Sequence, residues 1–406
     1  MSNSYIVREG DTYDSIARKT SGDDRQSGVI RKANPGTSGK LIAGTVIKIP
    51  GKGKSKSGSS EKSDTSVVLN INGAQFDLWE TIRVETSIDA IPTATFSSPF
   101  DGNDTKLREI FKPLQFKNVD IDVGKDRVFT GTLVASTPNM SESGTKVSAS
   151  CYALPGVFVD CTTVAETPME WDDADLKTIA ESLAEPFGID VAFGADFGAS
   201  FTRVRIKEDE KIMPFLSGLA SQRGLVISSS PTGALYFLKE STSKTKVATL
   251  VEGKSPLIKV TPSFDPQSFY SSITGISPTV AGLVGKPFTE KNNHLNDVIR
   301  PLTFISNNTS DADLSESVKS KAGRMFSSVV TYSVEVASWR DESGELWWPN
   351  TFISVNSPSA MIYSESTFLI RSVILNKTSS KETATLNLIL PGSFAGKIPE
   401  KMPWDI

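Results

Sequence analysis

The chain has 406 residues, of which 38% are hydrophobic and 22% charged, a composition typical of globular proteins that predicts two to four domains. Its 43 Lys and Arg residues against 47 Asp and Glu residues give a formal net charge of -4, without the basic excess of a dedicated nucleic-acid-binding protein. No stretch approaches the roughly 20 consecutive apolar residues that span a bilayer. We therefore predict neither sequence-specific nucleic-acid binding nor membrane insertion.

Histidine, the side chain most often used in acid–base catalysis, is scarce in this sequence. His294 is the only histidine, and histidine is the commonest general base and transition-metal ligand near neutral pH. Phosphate-binding GxxxxGKS or GxxxxGKT loops, GxGxxG motifs and GxSxG motifs are absent from the sequence. The sequence predicts no enzyme, no cofactor and no metal site. Cys151 and Cys161 are predicted to be buried thiols, and Asp120 and Asp122 to lie on a solvated strand face.

Residues 1–50 predict a compact strand–helix–helix–strand unit. The first strand is Tyr5-Ile6-Val7, and Asp11 is a good N-cap for a short helix. A second short helix ends at Asn34-Pro35, because the residue before a proline disfavours the helical region. The last strand is Val46 to Ile49.

This unit resembles a LysM module, through Gly10-Asp11-Thr12 after the first strand, Asn34-Pro35 after the second helix, and Leu41-Ile42 before the last strand. The resemblance implies a β-α-α-β fold and binding of glycans that contain N-acetylglucosamine, such as peptidoglycan. It implies that the binding loops contain Gly10, Asp11, Thr12, Asn34, Pro35, Leu41 and Ile42. A polar insertion at Ser21 to Gln26 and Thr45 depart from the family pattern. Docking on a neighbouring protein is therefore the preferred hypothesis for these loops.

Residues 51–66 are rich in Gly, Ser and Lys, and the run from 51 to 64 contains no apolar residue. Such a composition cannot bury a core and predicts a flexible linker. Its r.m.s. span would be roughly 20 Å.

Residues 67–168 predict a first antiparallel β-barrel domain, because short alternating strands follow one another at close spacing. Asn72-Gly73 predicts a tight hairpin turn. Residues 169–255 predict a small α/β domain, with one helix capped by Asp172 or Asp173 and a second carrying Pro214 in its first turn.

Residues 256–392 predict a second β-barrel domain interrupted by one helix, and residues 393–406 form a C-terminal tail. Leu314, Val318, Ala322 and Met325 share one face of that helix. Trp339, Trp347 and Trp348 flank a turn between strands. They are predicted to serve as barrel packing or an interface, in preference to a sugar-binding platform.

The body of the chain resembles the baseplate hub proteins of Mu-like contractile-tailed phages and, more distantly, the tube-like part of VgrG. The resemblance rests on the order of landmarks such as Val128-Phe129-Thr130-Gly131, Pro155-Gly156, Gly224-Leu225, Arg300-Pro301 and Leu390-Pro391-Gly392. It implies an α+β fold in which two antiparallel, tail-tube-like β-barrel domains flank the small α/β domain, with the LysM module at the N-terminus.

The resemblance to hub proteins implies a structural role in a phage virion. Such hubs are homotrimers that seat the hexameric tail tube on one side and a central spike on the other, and DNA leaves through the centre. Baseplate wedge or sheath-proximal proteins are the expected partners of the LysM-like module. Because Met1 to Ser4 lacks the features of a secretory signal, synthesis in the host cytoplasm is expected. The alternative is a LysM-anchored tail protein that binds or degrades peptidoglycan.

Overall fold

The computed structural model describes residues 3–7, 12–13, 16–17, 30, 33–34, 45–49, 65–142, 144–243, 245–277, 287–305 and 311–405. Within these ranges the chain is mostly β-structure with few helices. No helix among them is long and apolar enough to cross a membrane.

The strands are numbered β1 to β23 in chain order. They are Asn3–Ile6, Val46–Ile49, Val67–Ile71, Ala74–Gln75, Thr81–Ser87, Thr93–Pro99, Asn118–Val123, Asp126–Ser141, Gly144–Ala153, Glu170–Ala174, Val191–Phe193, Phe201–Arg205, Val226–Ser229, Leu235–Leu238, Lys246–Val251, Leu257–Phe264, Ser272–Ile276, Phe288–Lys291, Pro301–Ile305, Val330–Val336, Phe352–Ser357, Ile362–Thr378 and Glu382–Ile389. The α-helices α1 to α5 are Thr105–Ile110, Val157–Asp160, Leu176–Ala184, Ile212–Gln222 and Asp311–Val329.

One 13-stranded sheet contains strands from both predicted β domains. Its hydrogen-bonded order is β16-β20-β23-β22-β5-β6-β9-β8-β7-β3-β4, with β21 and β15 branching from β22. The joint between the two predicted domains is the antiparallel pair β22–β5, which runs from Ser372 opposite Ser87 to Thr378 opposite Thr81. The main chain therefore couples the two halves directly. Their closure as two barrels remains a prediction.

The period-2 patterns of the sequence are confirmed in the first half of this sheet. Ile82 and Val84 are buried while Thr81 and Arg83 are exposed, so β5 buries one face only. Asn72 and Gly73 have φ of 50° and 77° and join β3 to β4, as a two-residue hairpin turn requires. The structure adds helix α1, which the sequence analysis did not predict. Asp104 caps it by accepting hydrogen bonds from the backbone N–H groups of Lys106 and Leu107.

The α/β unit has its own hydrophobic core, formed mainly by α3, α4 and a three-stranded sheet ordered β11-β14-β13. β13 and β14 form an antiparallel hairpin, with Val226 opposite Leu238. The predicted helix cap was wrong, because Asp172 belongs to β10 and faces Arg203 of β12. Asp175 caps α3 instead, and its carboxylate accepts a hydrogen bond of 2.7 Å from the Thr178 N–H.

Helix α5 is the helix predicted for the last domain. Leu314, Val318, Ala322 and Met325 are all buried, as their shared face predicted, and pack in the main hydrophobic core of the large sheet. Gly323 of α5 lets the turn at residues 392–396 approach closely, because an added Cβ would lie 2.8 Å from the Ser393 carbonyl oxygen.

Candidate assembly surfaces

The N-terminal unit forms a small structure around its own core. β1 and β2 pair antiparallel, and Val7, Tyr13, Ile16, Ile30 and Ile47 are buried together. Of the predicted loop residues, Gly10, Asp11, Pro35, Leu41 and Ile42 lie outside the described residues.

Asn34 has a structural role that the sequence analysis did not assign. Its side-chain amide donates to the carbonyl oxygens of Ile30 (2.7 Å) and Lys48 (2.8 Å), and its carbonyl accepts from the Lys48 N–H (2.8 Å). Both the nitrogen and the oxygen of the Asn34 amide are used, so this side chain connects Ile30 to β2. Thr12 is exposed, and its carbonyl accepts from the Ile16 N–H at 2.9 Å.

One face of the large sheet is lined by small hydroxyl side chains, and we call it the hydroxyl face. Side chains alternate across a strand and directly opposed residues share a face, so the register identifies its members. Exposed or half-exposed Ser and Thr residues lie on eight neighbouring strands, namely Thr81, Ser87, Thr93, Thr95, Ser97, Thr137, Ser148, Ser150, Thr261, Ser263, Thr331, Ser333, Thr378 and Thr385. One row, Thr378, Thr81, Ser97, Ser148 and Thr137, crosses five strands.

Most charged side chains on the hydroxyl face or at its edges form ion pairs. Arg83 donates to Glu85 at 2.7 Å, Lys381 to Glu335 at 3.0 Å, and Lys146 to Glu80 at 2.7 Å. Lys259 lies directly opposite Glu335 in the β16–β20 register. Apart from the exposed Lys259, the face therefore presents hydroxyl groups and paired charges, and it lacks the row of cations that would hold phosphates.

A polar junction joins the two halves of the sheet to the α/β unit. Arg371 of β22 binds Asp89 with one edge of its guanidinium, and Nε and Nη2 donate to the two carboxylate oxygens at 3.1 and 2.8 Å. The Ser228 hydroxyl of β13 donates to the carbonyl oxygen of Ser87 at 2.6 Å, and Arg324 of α5 donates to that of Leu225 at 2.9 Å. Burial lowers the pKa of the Arg324 guanidinium, and Asp89 opposes this shift.

A second junction is centred on Arg340, whose side chain is 5% exposed. It donates to Asp126 at 3.0 Å and to the Val123 carbonyl oxygen at 3.2 Å, so the loop after β20 is fastened to the β7–β8 turn. Because a half-satisfied buried network is costly, such junctions fix the relative position of the units that they join.

The residues considered for chemistry have structural partners. The ring of His294 lies 2.6 Å from the Pro399 carbonyl oxygen through Nε2, and Arg127 binds Asp120 and Asp122 together at 2.6 and 2.5 Å. Trp339 and Trp347 are buried, which confirms packing and excludes a sugar platform formed by these two rings.

The two cysteines differ from each other. Cys151 is buried as predicted, whereas Cys161 is only half-buried, so that part of the prediction was wrong. Cys161 follows the last turn of α2, outside the strands of the large sheet. Among the described residues, no three His, Cys, Asp or Glu side chains are grouped to hold a metal ion.

Comparisons with known proteins identify the fold. Residues 155–239 match the family described as the second domain of gp44-like baseplate hub proteins. Over 334 residues the chain is 20% identical to the baseplate hub protein gp44 of Escherichia phage Mu, covering 78% of this chain and 86% of the relative.

Solved structures agree with this match. The 43 kDa tail protein of prophage MuSo2 from Shewanella oneidensis superposes with a TM-score of 0.69 at 23% identity, covering 80% of this chain and 98% of that one. An E. coli component of the type VI secretion system, described as similar to T4 phage tail proteins, has a TM-score of 0.52 at 11% identity, covering 82% and 79%.

The phage relatives named here are structural tail and baseplate proteins. The predicted place of the chain in the tail of a phage virion is confirmed by these matches. The predicted resemblance to baseplate hub proteins of Mu-like phages is likewise confirmed, and it includes the match of residues 155–239 to the second domain of gp44-like baseplate hub proteins.

Proposed function

We propose that three copies of this chain form a ring that joins the hexameric tail tube to the central spike, and that the hydroxyl face lines its channel. The single observation that carries the proposal is the extent of this face. It extends across the β22–β5 joint, where Asn376 and Thr378 of β22 lie opposite Arg83 and Thr81, from one predicted β domain into the other. Three copies, each giving two tube-like halves, would present six similar units to a six-fold tube.

The chemistry of the hydroxyl face suits the passage of DNA. Affinity for duplex DNA depends mainly on Lys and Arg residues that neutralise phosphates and release counterions. Hydroxyl groups hydrate the channel wall, and the paired charges Arg83–Glu85 and Lys381–Glu335 add little net attraction. DNA would therefore pass without being held.

The polar junctions would suit a protein that transmits force between the tail tube and the central spike. Asp89–Arg371 and Arg340–Asp126 each join segments more than 200 positions apart. Junctions of this kind favour a rigid body, and rigidity supports a structural role over a catalytic one.

The LysM-like module is proposed to dock on baseplate wedge or sheath-proximal proteins. A linker with a span of roughly 20 Å would keep the module near the baseplate and raise its local concentration there. The use of Asn34 in an internal latch removes one of the predicted glycan contacts and supports docking over peptidoglycan binding.

The experiment for the ring is light scattering coupled to size-exclusion chromatography of the full chain, alone and with the spike protein. A mass of three chains is expected, and a strictly monomeric particle in the assembled tail would overturn the proposal. For the module, deletion of residues 1–50 should impair baseplate assembly. Intact assembly together with tight binding of peptidoglycan fragments by the full chain would favour the cell-wall alternative.

A further inference from the structure

The loop between α1 and β7 exposes two large apolar side chains in an unusual backbone conformation. Leu114 is 86% exposed and Phe116 is 60% exposed. Both have positive φ, 62° and 46°, a region that bulky L-residues rarely adopt. These two apolar side chains are not buried in the chain's own core, and their backbone conformation is unfavourable for their residue types.

The loop is nevertheless held firmly at both ends. Phe111 is 3% exposed and meets the ring of Phe76 edge-on at 5.6 Å. Lys117 is buried, its ammonium donates to the carbonyl oxygen of Glu109, and its own carbonyl accepts from the Leu133 N–H at 2.8 Å. The anchored ends restrict the conformations that the apolar tip can adopt, which lowers the entropy cost of binding. A preformed, exposed apolar anchor is typical of a protein–protein contact.

The charges beside this tip are mostly basic. Lys106 and Arg108 are exposed on α1, and Lys112 is exposed at the start of the loop. Glu109 is the one acidic side chain between Lys106 and Lys117, and it lies within 4.0 Å of Lys112 and 3.5 Å of Lys117. The fitting partner surface is an apolar groove with an acidic border.

The same chain carries such a groove, between the β5–β6 connection and helices α2 and α4. It has a volume of about 380 Å³, and its apolar lining includes Ile91, Val159, Met213 and Ile227. Asp89 and Asp160 border it, and because Asp89 is paired with Arg371, the acidic border is mainly Asp160. Val159 is 46% exposed, so the loop of the same chain does not cover the groove.

We propose that Leu114 and Phe116 of one copy insert into the Val159 groove of the next copy. The basic border of the loop then faces the acidic border of the groove. The two surfaces differ, so the contact is heterologous, and repeated contacts of this kind close into a ring when the rotation allows it. This inference rests on the proposed trimer and names the surfaces that would build it.

The first test uses Leu114→Asn and Phe116→Asn. Asparagine tolerates positive φ better than Leu or Phe, so these changes keep the fold and remove only the apolar anchors. Association measured by light scattering across a dilution series should weaken at least about a hundredfold for the double variant. Val159→Lys, on the groove, should weaken it similarly. Met140→Asn is the matched control, because Met140 is 83% exposed on another hairpin, and it should leave the mass unchanged.

The second test is cross-linking between copies. Chains carrying Leu114→Cys are co-expressed with differently tagged chains carrying Val159→Cys, both with Cys161→Ser, and treated with a short bismaleimide. A cross-link joining the two tags is expected, while either variant alone should give none. A trimer that survives the asparagine variants at all dilutions, with no cross-link, would overturn the inference and leave the proposed ring standing. A wild-type chain that is monomeric even in the assembled tail would overturn both.

Discussion

Glu240 provides a test of how the C-terminal segment is fastened to the body. Its side chain is buried, and the carboxylate accepts hydrogen bonds from the backbone N–H groups of Gly392 at 2.6 Å and Phe394 at 2.9 Å. The turn that it holds packs against Gly323 of α5. Replacement by alanine would leave two N–H donors without this partner.

The magnitude follows from these two bonds. A buried donor left unsatisfied costs about 1–3 kcal/mol, so Glu240→Ala should lower the free energy of unfolding by about 2–6 kcal/mol. Urea denaturation followed by tryptophan fluorescence measures this change. A loss below about 1 kcal/mol would refute the reasoning, because the turn would then be held by other contacts.

The pH dependence of the same site has a defined sign. Burial raises the pKa of Glu240 above its ordinary value of 4.5, although the backbone N–H groups of Gly392, Phe394 and Ala395 and the charge of Lys397 oppose the shift. The folded state therefore holds this proton more tightly than the unfolded state. The stabilisation is present below pH 4.5 and is lost as the pH rises through the folded pKa. Against Glu240→Gln, which does not titrate, the wild type should gain relative stability as the pH falls through that window.

Three further predictions address packing, thiol reactivity and the linker. Gly131→Ala should lower the free energy of unfolding by about 1–3 kcal/mol or more, because its Cβ would clash with the Tyr152 carbonyl oxygen and the Phe129 ring; Gly102→Ala, with nothing within 4 Å, is the control, and thermal unfolding compares them. Burial raises the pKa of Cys151 to about 12, so a thiol reagent at pH 8 should modify Cys161 alone in the folded chain and both cysteines in denaturant; rapid reaction of Cys151 would contradict its burial. Brief trypsin digestion should cut first at the lysines of residues 51–66 and release the N-terminal unit, whereas protection of all of them would count against a flexible linker.

Local patterns predicted the individual strands well. The alternation in β5, the Asn72-Gly73 turn and the buried face of α5 all depend on residues that are close in sequence. The cap of α3 was missed because Asp172, Asp173 and Asp175 all suit the role in isolation. Pairing of β10 with β12 extends the strand to Ala174, and this tertiary contact leaves Asp175 as the cap.

The surfaces proposed for assembly could not be predicted in the same way. Thr93, Thr95 and Ser97 alternate visibly along β6. Only long-range register places Thr378 beside Thr81 and Ser97 beside Ser148. The Asp89–Arg371 bond likewise joins residues 282 positions apart. The exposed tip at Leu114 and Phe116 gave no sequence signal, since apolar residues after a helix usually predict core.

The central claim is that the hydroxyl face lines a channel that does not hold DNA. Its most direct test is the salt dependence of binding of a short DNA duplex to the wild-type trimer and to a variant carrying Thr95→Lys and Thr261→Lys, two exposed positions of that face. The wild type should bind the duplex negligibly. The variant places six added lysines per trimer around one duplex, so a plot of the logarithm of its binding constant against the logarithm of the salt concentration should have a slope approaching roughly -5. Thr202→Lys with Ser364→Lys adds the same charge outside the face and should give a much shallower slope. Tight binding by the wild type, or equal slopes for the two lysine variants, would contradict the account.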